Sequence, residues 1–147
     1  MIDVFDDTYF MKKALIEAEE AYRLGEIPVG AIVVSENQVI GRGYNLTEQL
    51  IDVTAHAEIQ AITAAANFLG AKFLTNCTLY VTLEPCQMCA GALYWSRVSR
   101  VVFAAEDIKR GYRAMGAKLH PKTQITTGVL EEEASNLLKS FFAEKRR

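Results

Sequence analysis

An α/β sandwich, with a central mixed sheet of about five strands and helices on both faces, is the fold this sequence predicts. Short β-branched runs alternate with longer amphipathic or Ala-rich stretches, and turn residues separate the two kinds. Because helical stretches lie between the later strands, those strands are expected to run parallel, joined by crossovers. The chain has 147 residues and shows neither an internal repeat nor a Gly/Ser/Pro linker, so one domain over 1–147 is expected.

Phe10, Met11, Ala14, Leu15, Ala18, Ala21, Tyr22 and Leu24 follow the i, i+3/i+4 spacing of a helix with one apolar face. Asp6 or Asp7 is placed to cap it, and Gly25 to stop it. Val29–Val34 and Val39–Tyr44 read as the strands of a hairpin, with Ser35-Glu-Asn-Gln38 as a polar four-residue turn. Residues 46–54 are polar and loop-like. Ala55–Phe68 is Ala-rich and helical, with Gly70 as its stop. Cys77–Thr82 reads as a strand, and Pro85 is expected to open a second Ala-rich helix reaching about Arg97. Val98–Ala105 holds another strand, 106–122 a loop or irregular helix, Thr123–Thr127 a last strand and Glu131–Lys145 a final helix.

Half of the residues are apolar and 23% are charged, which excludes disordered and fibrous classes. Apolar runs fall far short of the roughly 20 residues of a membrane span. Asp3, Asp6 and Asp7 stand where a secretory signal is basic and then apolar, so no membrane and a cytoplasmic location are expected. Residues 1–60 hold 4 Lys/Arg against 11 Asp/Glu, and 61–147 hold 12 against 7. The basic residues gather in Arg97–Lys122 and at Lys145-Arg-Arg147. These runs read first as solvated surface, and they leave room for an anionic partner.

Three cysteines are too few for a disulfide scaffold in a chain of this size. Cys86 and Cys89 are i, i+3 at a predicted helix start, so their thiols share one face, and the helix N-terminus favours thiolate. His56 and Glu58 lie at the start of the preceding predicted helix. Two thiolates and an imidazole suit zinc, and three protein ligands leave the open position of a catalytic site, with Glu58 free to carry protons. Since i and i+2 do not face each other on a regular helix, His56 must occupy the cap or first turn, with Thr54 as a nearby cap. Alternatives are a thioredoxin-like Cys pair, which leaves His56 and Glu58 idle, and a structural zinc module, which needs a fourth ligand. Cys77, on a strand, reads as core. His120, before Pro121, reads as a turn residue, Tyr94 and Trp95 as core or a subunit interface, and Phe141 and Phe142 as packing anchors.

His56-Ala-Glu58 followed by Pro85-Cys86-x-x-Cys89 resembles the zinc-dependent cytidine deaminase superfamily, whose signature is H-x-E…P-C-x-x-C. Ile27–Ala31, Gly43-Tyr-Asn45, Thr54–Ile59, Thr78–Cys86, Met88–Ala92, Arg97–Phe103 and a C-terminal Phe141-Phe142 before a basic end resemble its bacterial tRNA-specific adenosine deaminases more closely. That resemblance implies a three-layer α/β/α cytidine deaminase-like fold, one zinc per subunit on His56, Cys86 and Cys89, and Glu58 as proton carrier. It further implies Asn45 on the base or ribose, backbone near Val29, Ala57 and Glu84 lining the base pocket, and Asp107 near the bound nucleic acid. The implied reaction converts adenosine to inosine in RNA, at the wobble position of a tRNA anticodon loop, in a homodimer. Ile108–Met115 departs from the Gly/Ala/Ser-rich stretch of that family, being bulkier and more basic. Leu69-Gly-Ala71 and Tyr94-Trp-Ser-Arg97 resemble the guanine deaminases of the same superfamily, so a free base or nucleoside, guanine first and cytidine next, is the alternative substrate.

Overall fold

The computed structural model describes residues 4–146; Asp3 and Arg147, read above as parts of an acidic start and a basic end, lie outside them. In order the chain forms α1 (Asp7–Arg23), β1 (Gly30–Ser35), β2 (Gln38–Tyr44), α2 (Ala57–Leu69), β3 (Cys77–Leu83), α3 (Gln87–Ser96), β4 (Arg100–Ala105), β5 (Gln124–Thr127) and α4 (Glu131–Lys145). The strands make one sheet in the order β2-β1-β3-β4-β5. β1 is antiparallel to β2 and β3, and β3, β4 and β5 run parallel, as the alternation of strands and helices predicts.

Period-two side chains sort the core into two layers. Ala31, Val33, Leu79, Val81, Val101 and Phe103 face α2 and α3. Ile32, Val34, Tyr80, Val102 and Ala104 face α1 and α4, against Phe10, Met11, Ala14 and Ala134. Strands covered on both faces need no polar alternation, which is why β1 and β4 read as nearly continuous apolar runs. Among the described residues no helix is long and apolar enough to cross a membrane.

Four local expectations change. The hairpin turn is two residues, not four: Ser35 pairs with Gln38, and Glu36 and Asn37 both take positive φ (50° and 61°). That is the turn whose twist matches the strands, and Asn tolerates it well. The second helix begins at Ala57 with His56 as its cap, two residues later than expected from composition. Thr54 is no cap, since its amide and hydroxyl both donate to Asp52 Oδ1, at 2.8 and 2.7 Å. Pro85 stands outside α3, whose cap is Cys86. Trp95 is 73% exposed, so of the two readings only a surface role remains open to it.

The site-bearing helix α2 is pressed onto β2. A Cβ on Gly43 would lie 2.3 Å from Ala57 O, and one on Gly41 would lie 2.4 Å from Ala61 O. Glycine at alternate strand positions, facing Ala57, Ala61 and Ala65, is what lets helix and strand backbones come this close. α1 uses the same device on β1, where a Cβ on Gly30 would lie 2.2 Å from Ala14 O.

Asp6 caps α1, its Oδ1 accepting from Tyr9 N at 2.8 Å. Asp7 ties the helix to the far end of the sheet. Its carboxylate accepts a two-pronged bond from Arg100 (2.7 and 2.7 Å) and another from Tyr80 Oη at 2.8 Å, and Arg100 also donates to Thr126. The Arg100 hydrogen bonds hold the Asp7 carboxyl below the usual range against the opposing effect of burial. A carboxyl lowered in the folded state stabilises the fold above its unfolded value of about 3.9 and loses that effect as pH falls through the folded value. Asp7→Asn is therefore expected to cost about 1.5–3 kcal/mol at pH 7. Denaturant midpoints of the two proteins should converge below about pH 4, and a gap that stays constant into acid would exclude the pair as its cause.

Candidate active site

One end of the sheet collects the amino end of β1 and the carboxyl ends of β2, β3 and β4. The helices α2 and α3 both start there, and neither start has a side-chain cap bond. Ser, Thr, Asp or Asn normally fills that position. Here His56 and Cys86 fill it with extended backbone (φ −76°, ψ 158° and φ −72°, ψ 174°), leaving their side chains free to converge. The extended cap also resolves the His56–Glu58 spacing, because only Glu58 stands inside the helix.

Cys89, three residues into α3, completes the cluster. His56 Nδ1 lies 3.6 Å from Cys86 Sγ and 3.5 Å from Cys89 Sγ. The three donor atoms all fall within 4.8 Å of one another. Tetrahedral zinc, with bonds of about 2.3 Å to sulfur and 2.0–2.1 Å to nitrogen, sets such an N···S edge at about 3.5 Å. Donor chemistry and spacing therefore both fit a zinc ion. Cys77 is not a fourth donor: it begins β3, is buried in the core and points its Sγ at Thr75 O, 3.6 Å away.

The electrostatics follow from burial and contact. The hydrogen bond from Cys89 and the nearby His56 bring the Cys86 thiol down to about 4, against burial. The same bond and burial push Cys89 up. His56 is raised by its bond to Cys86. Glu58 is 4% exposed, and burial lifts its carboxyl to about 7, opposed by its own backbone amide and by His56.

A cavity of about 240 Å³ opens beside these groups. Val29, Asn45, Ala57, Glu58, Glu84 and Asp107 all border it, so the structure brings every expected pocket residue to one place. His56 and Cys86 border it as well, whereas Cys89 lies behind them, fully buried. Asn45 also does turn work: its amide nitrogen donates to Ile27 O and its Oδ1 accepts from Thr47 N, each at 3.4 Å.

Sequence reasoning missed part of the wall. Ile27, Thr47, Leu83 and Arg110 line the cavity too, Arg110 being one residue of the basic run Arg97–Lys122. It also missed Glu26, which is fully buried and accepts from the amides of Glu48 (3.1 Å) and Gln49 (2.7 Å). Glu26 thereby fixes the loop that carries Thr47; a lone acid between Gly25 and the apolar Ile27-Pro-Val29 was the available signal. On the opposite wall, Glu84 holds the loop after β4, its carboxylate accepting from the amides of Asp107 and Arg113, both at 3.2 Å. Burial raises the Glu84 carboxyl, but the Arg113 hydrogen bonds and charge together with the Asp107 amide outweigh it and leave the group below the ordinary glutamate range. His120 makes the expected turn, its Nδ1 accepting from Lys122 N at 3.1 Å. Phe141 is buried against Tyr22, while Phe142 is 41% exposed.

The chain is similar to known proteins in sequence and in structure. The MafB19-like deaminase family matches residues 5–146. A tRNA-specific adenosine deaminase of Buchnera aphidicola subsp. Baizongia pistaciae is 47% identical over 148 residues, covering 96% of this chain and 91% of that protein. One from Agrobacterium fabrum is 42% identical over 145 residues, covering 95% of each chain. Among solved structures, one described for A-to-I editing by tRNA:A34 deaminases at the wobble position superposes with a TM-score of 0.84 at 40% identity, covering 89% of this chain and 99% of that one. A guanine deaminase from Nitrosomonas europaea superposes with a TM-score of 0.81 at 27% identity, covering 94% of this chain and 85% of that one. Fold, cluster and relatives converge: the chain belongs to the MafB19-like deaminase family and is a hydrolytic deaminase with the cytidine deaminase-like fold.

Proposed function

We propose that this enzyme deaminates adenosine to inosine in RNA, at the wobble position of a tRNA anticodon loop, with one zinc held by His56, Cys86 and Cys89. The observation that carries the reading is a three-donor cluster and a buried carboxylate facing a cavity of about 240 Å³. Pockets for drug-sized ligands run from about 300 to 1,000 Å³, so this one suits a single base with its ribose and phosphates left at the rim. Anticodon loops are single-stranded, which lets one base be splayed out into such a pocket at little cost. Relatives that are 42% and 47% identical bear the name tRNA-specific adenosine deaminase.

Zinc, when bound, supplies a water whose pKa falls toward about 7 and so a nucleophile at neutral pH. The chain's own residues do the rest. Val29 and Ala57 wall the base and Asn45 offers it an amide, the role its place at the end of β2 supports. Glu58, next to the metal donors and shielded from solvent, is the proton carrier. It takes a proton from the attacking water and gives one to adenine N1. It then takes the proton left on the new C6 hydroxyl and gives it to the amine as the C6–N bond breaks, so that ammonia leaves and inosine, with a C6 carbonyl and a proton on N1, remains. Asp107 and Arg110 stand at the rim, where the nucleotide backbone enters.

The enzyme works as a cytoplasmic homodimer in this reading, which rests on its likeness to the family; sedimentation as a monomer at working concentration would remove that part. Guanine deamination is the second reading, favoured by the TM-score of 0.81 with the Nitrosomonas europaea enzyme.

Glu58→Ala is expected to keep one zinc per chain and lose about 10²–10⁴-fold in turnover, whereas His56→Ala and Cys86→Ser lose the metal with the activity. Metal analysis beside an ammonia assay reads both; full activity after exhaustive chelation would end the zinc mechanism. An anticodon stem-loop should yield inosine and ammonia, with affinity falling steeply as salt rises, while a neutral free base would show no such slope. Turnover of guanine with no inosine in the RNA would replace the first reading by the second.

A further inference from the structure

Glu84 is 4% exposed, yet its carboxylate meets a single loop from several sides. Oε1 accepts from Asp107 N (3.2 Å) and Arg113 Nη2 (2.9 Å), and Oε2 accepts from the amide and Nε of Arg113, both at 3.2 Å. The two ends of the 107–113 turn are thus drawn onto one buried group. Gly111 makes room for it, since a Cβ there would lie 2.3 Å from Glu84 Cδ. The turn is stitched to the metal-bearing segment as well: Tyr112 N donates to Pro85 O at 2.8 Å, and Cys86 bridges Gly111. Within it, Asp107 Oδ1 accepts from Arg110 N at 3.0 Å.

A buried carboxylate holding amides alone leaves its charge unmatched, and a two-pronged guanidinium supplies both the opposite charge and a fixed orientation. Arg113 does this from outside the cavity. Its side chain is 45% exposed, lies 3.4 Å from Glu106 and sits over the Phe103 ring at 5.0 Å. The cavity is bordered by Asp107 and Arg110 but not by Arg113.

We infer that Arg113 is a positioning residue for the pocket rim: through Glu84 it holds the 107–111 turn at one setting beside Cys86, and so presents Asp107 and Arg110 to the nucleotide whose base enters the cavity. The inference rests on the reading of that cavity as a nucleotide pocket. It concerns binding and not the chemical step, because Glu58, His56, Cys86 and Cys89 are carried by α2, α3 and their caps.

The test compares zinc-loaded wild type, Arg113→Ala and Glu84→Gln on an anticodon stem-loop. The readouts are kcat, KM, metal content and hydrogen exchange of the 107–113 amides. Arg113→Ala should raise KM by about tenfold or more, with kcat within about threefold of wild type and zinc unchanged. Exchange across 107–113 should rise by about tenfold or more while α3 keeps its protection. Methylguanidinium in the medium should restore KM and protection in Arg113→Ala and leave wild type as it was. Glu84→Gln, of the same shape but uncharged, makes the test from the other partner if the alanine variant folds poorly. An unchanged KM overturns the inference, and so does a parallel loss of kcat and zinc. If wild type leaves the RNA untouched, the RNA reading fails. The exchange experiment then still decides the role of Arg113, since unchanged protection without Arg113 overturns it.

Discussion

The arrangement depends on one constraint: two helix N-termini meet over the end of the sheet, and their cap positions carry side chains able to hold a metal instead of helix-capping ones. Giving up a capping side chain costs a helix about 1 kcal/mol. Both α2 and α3 accept that cost, and both are held in compensation by the sheet. α2 lies against Gly41 and Gly43 with its backbone almost touching β2, and α3 follows β3 after Glu84 and Pro85. A first-turn backbone rich in free N–H groups then favours thiolate and carboxylate in the same small volume. Once the helix starts are fixed, the 3.5–3.6 Å contacts among His56, Cys86 and Cys89 follow from where the caps lie.

The walls of the cavity use a second device, the same on both sides. Glu26 holds the 46–52 loop by the amides of Glu48 and Gln49, and Glu84 holds the loop after β4 by the amides of Asp107 and Arg113. Both are buried acids that accept from backbone amides, Glu84 with the Arg113 guanidinium as well, and among the described residues no buried side-chain nitrogen or oxygen lacks a partner. Such carboxylates are safe inside a protein because an unpaired one is expensive. They give loops the fixed shape that loops seldom have from their own hydrogen bonds.

Much of this was legible beforehand. The sheet, the helices on both faces and the parallel later strands follow from apolar period and from the order of the elements. His56, Glu58, Cys86 and Cys89 stand out in the sequence because two short motifs, His56-x-Glu58 and Cys86-x-x-Cys89, each fall at the start of a predicted helix, where spacing survives as a pattern, and the structure brings the His56, Cys86 and Cys89 donor atoms within 4.8 Å of one another. What stayed hidden depends on contacts between distant segments or on a single turn of backbone. Alanine content at 55–57 says nothing of where the first helical hydrogen bond forms, so the sequence leaves His56 at either the cap or the first turn, and only the structure places it at the cap. Ser35-Glu-Asn-Gln38 has the residues of a turn, but only the strand register shows that Ser35 and Gln38 are paired. Glu84 and Arg113 stand 29 residues apart, and nothing local couples them. Trp95 has the size of a core residue at a helical position, yet the sheet lies on the other side of α3.

The glycine contacts beneath α2 also bear on how such a scaffold diversifies. A helix seated that tightly cannot slide or roll to suit a different ligand, so the reacting centre is a rigid tool inherited whole. New selectivity has to be written in the two acid-anchored loops, which can change length and charge without moving a single donor atom. Grafting foreign versions of those loops onto this sheet is thus a direct way to redirect the same chemistry to another substrate.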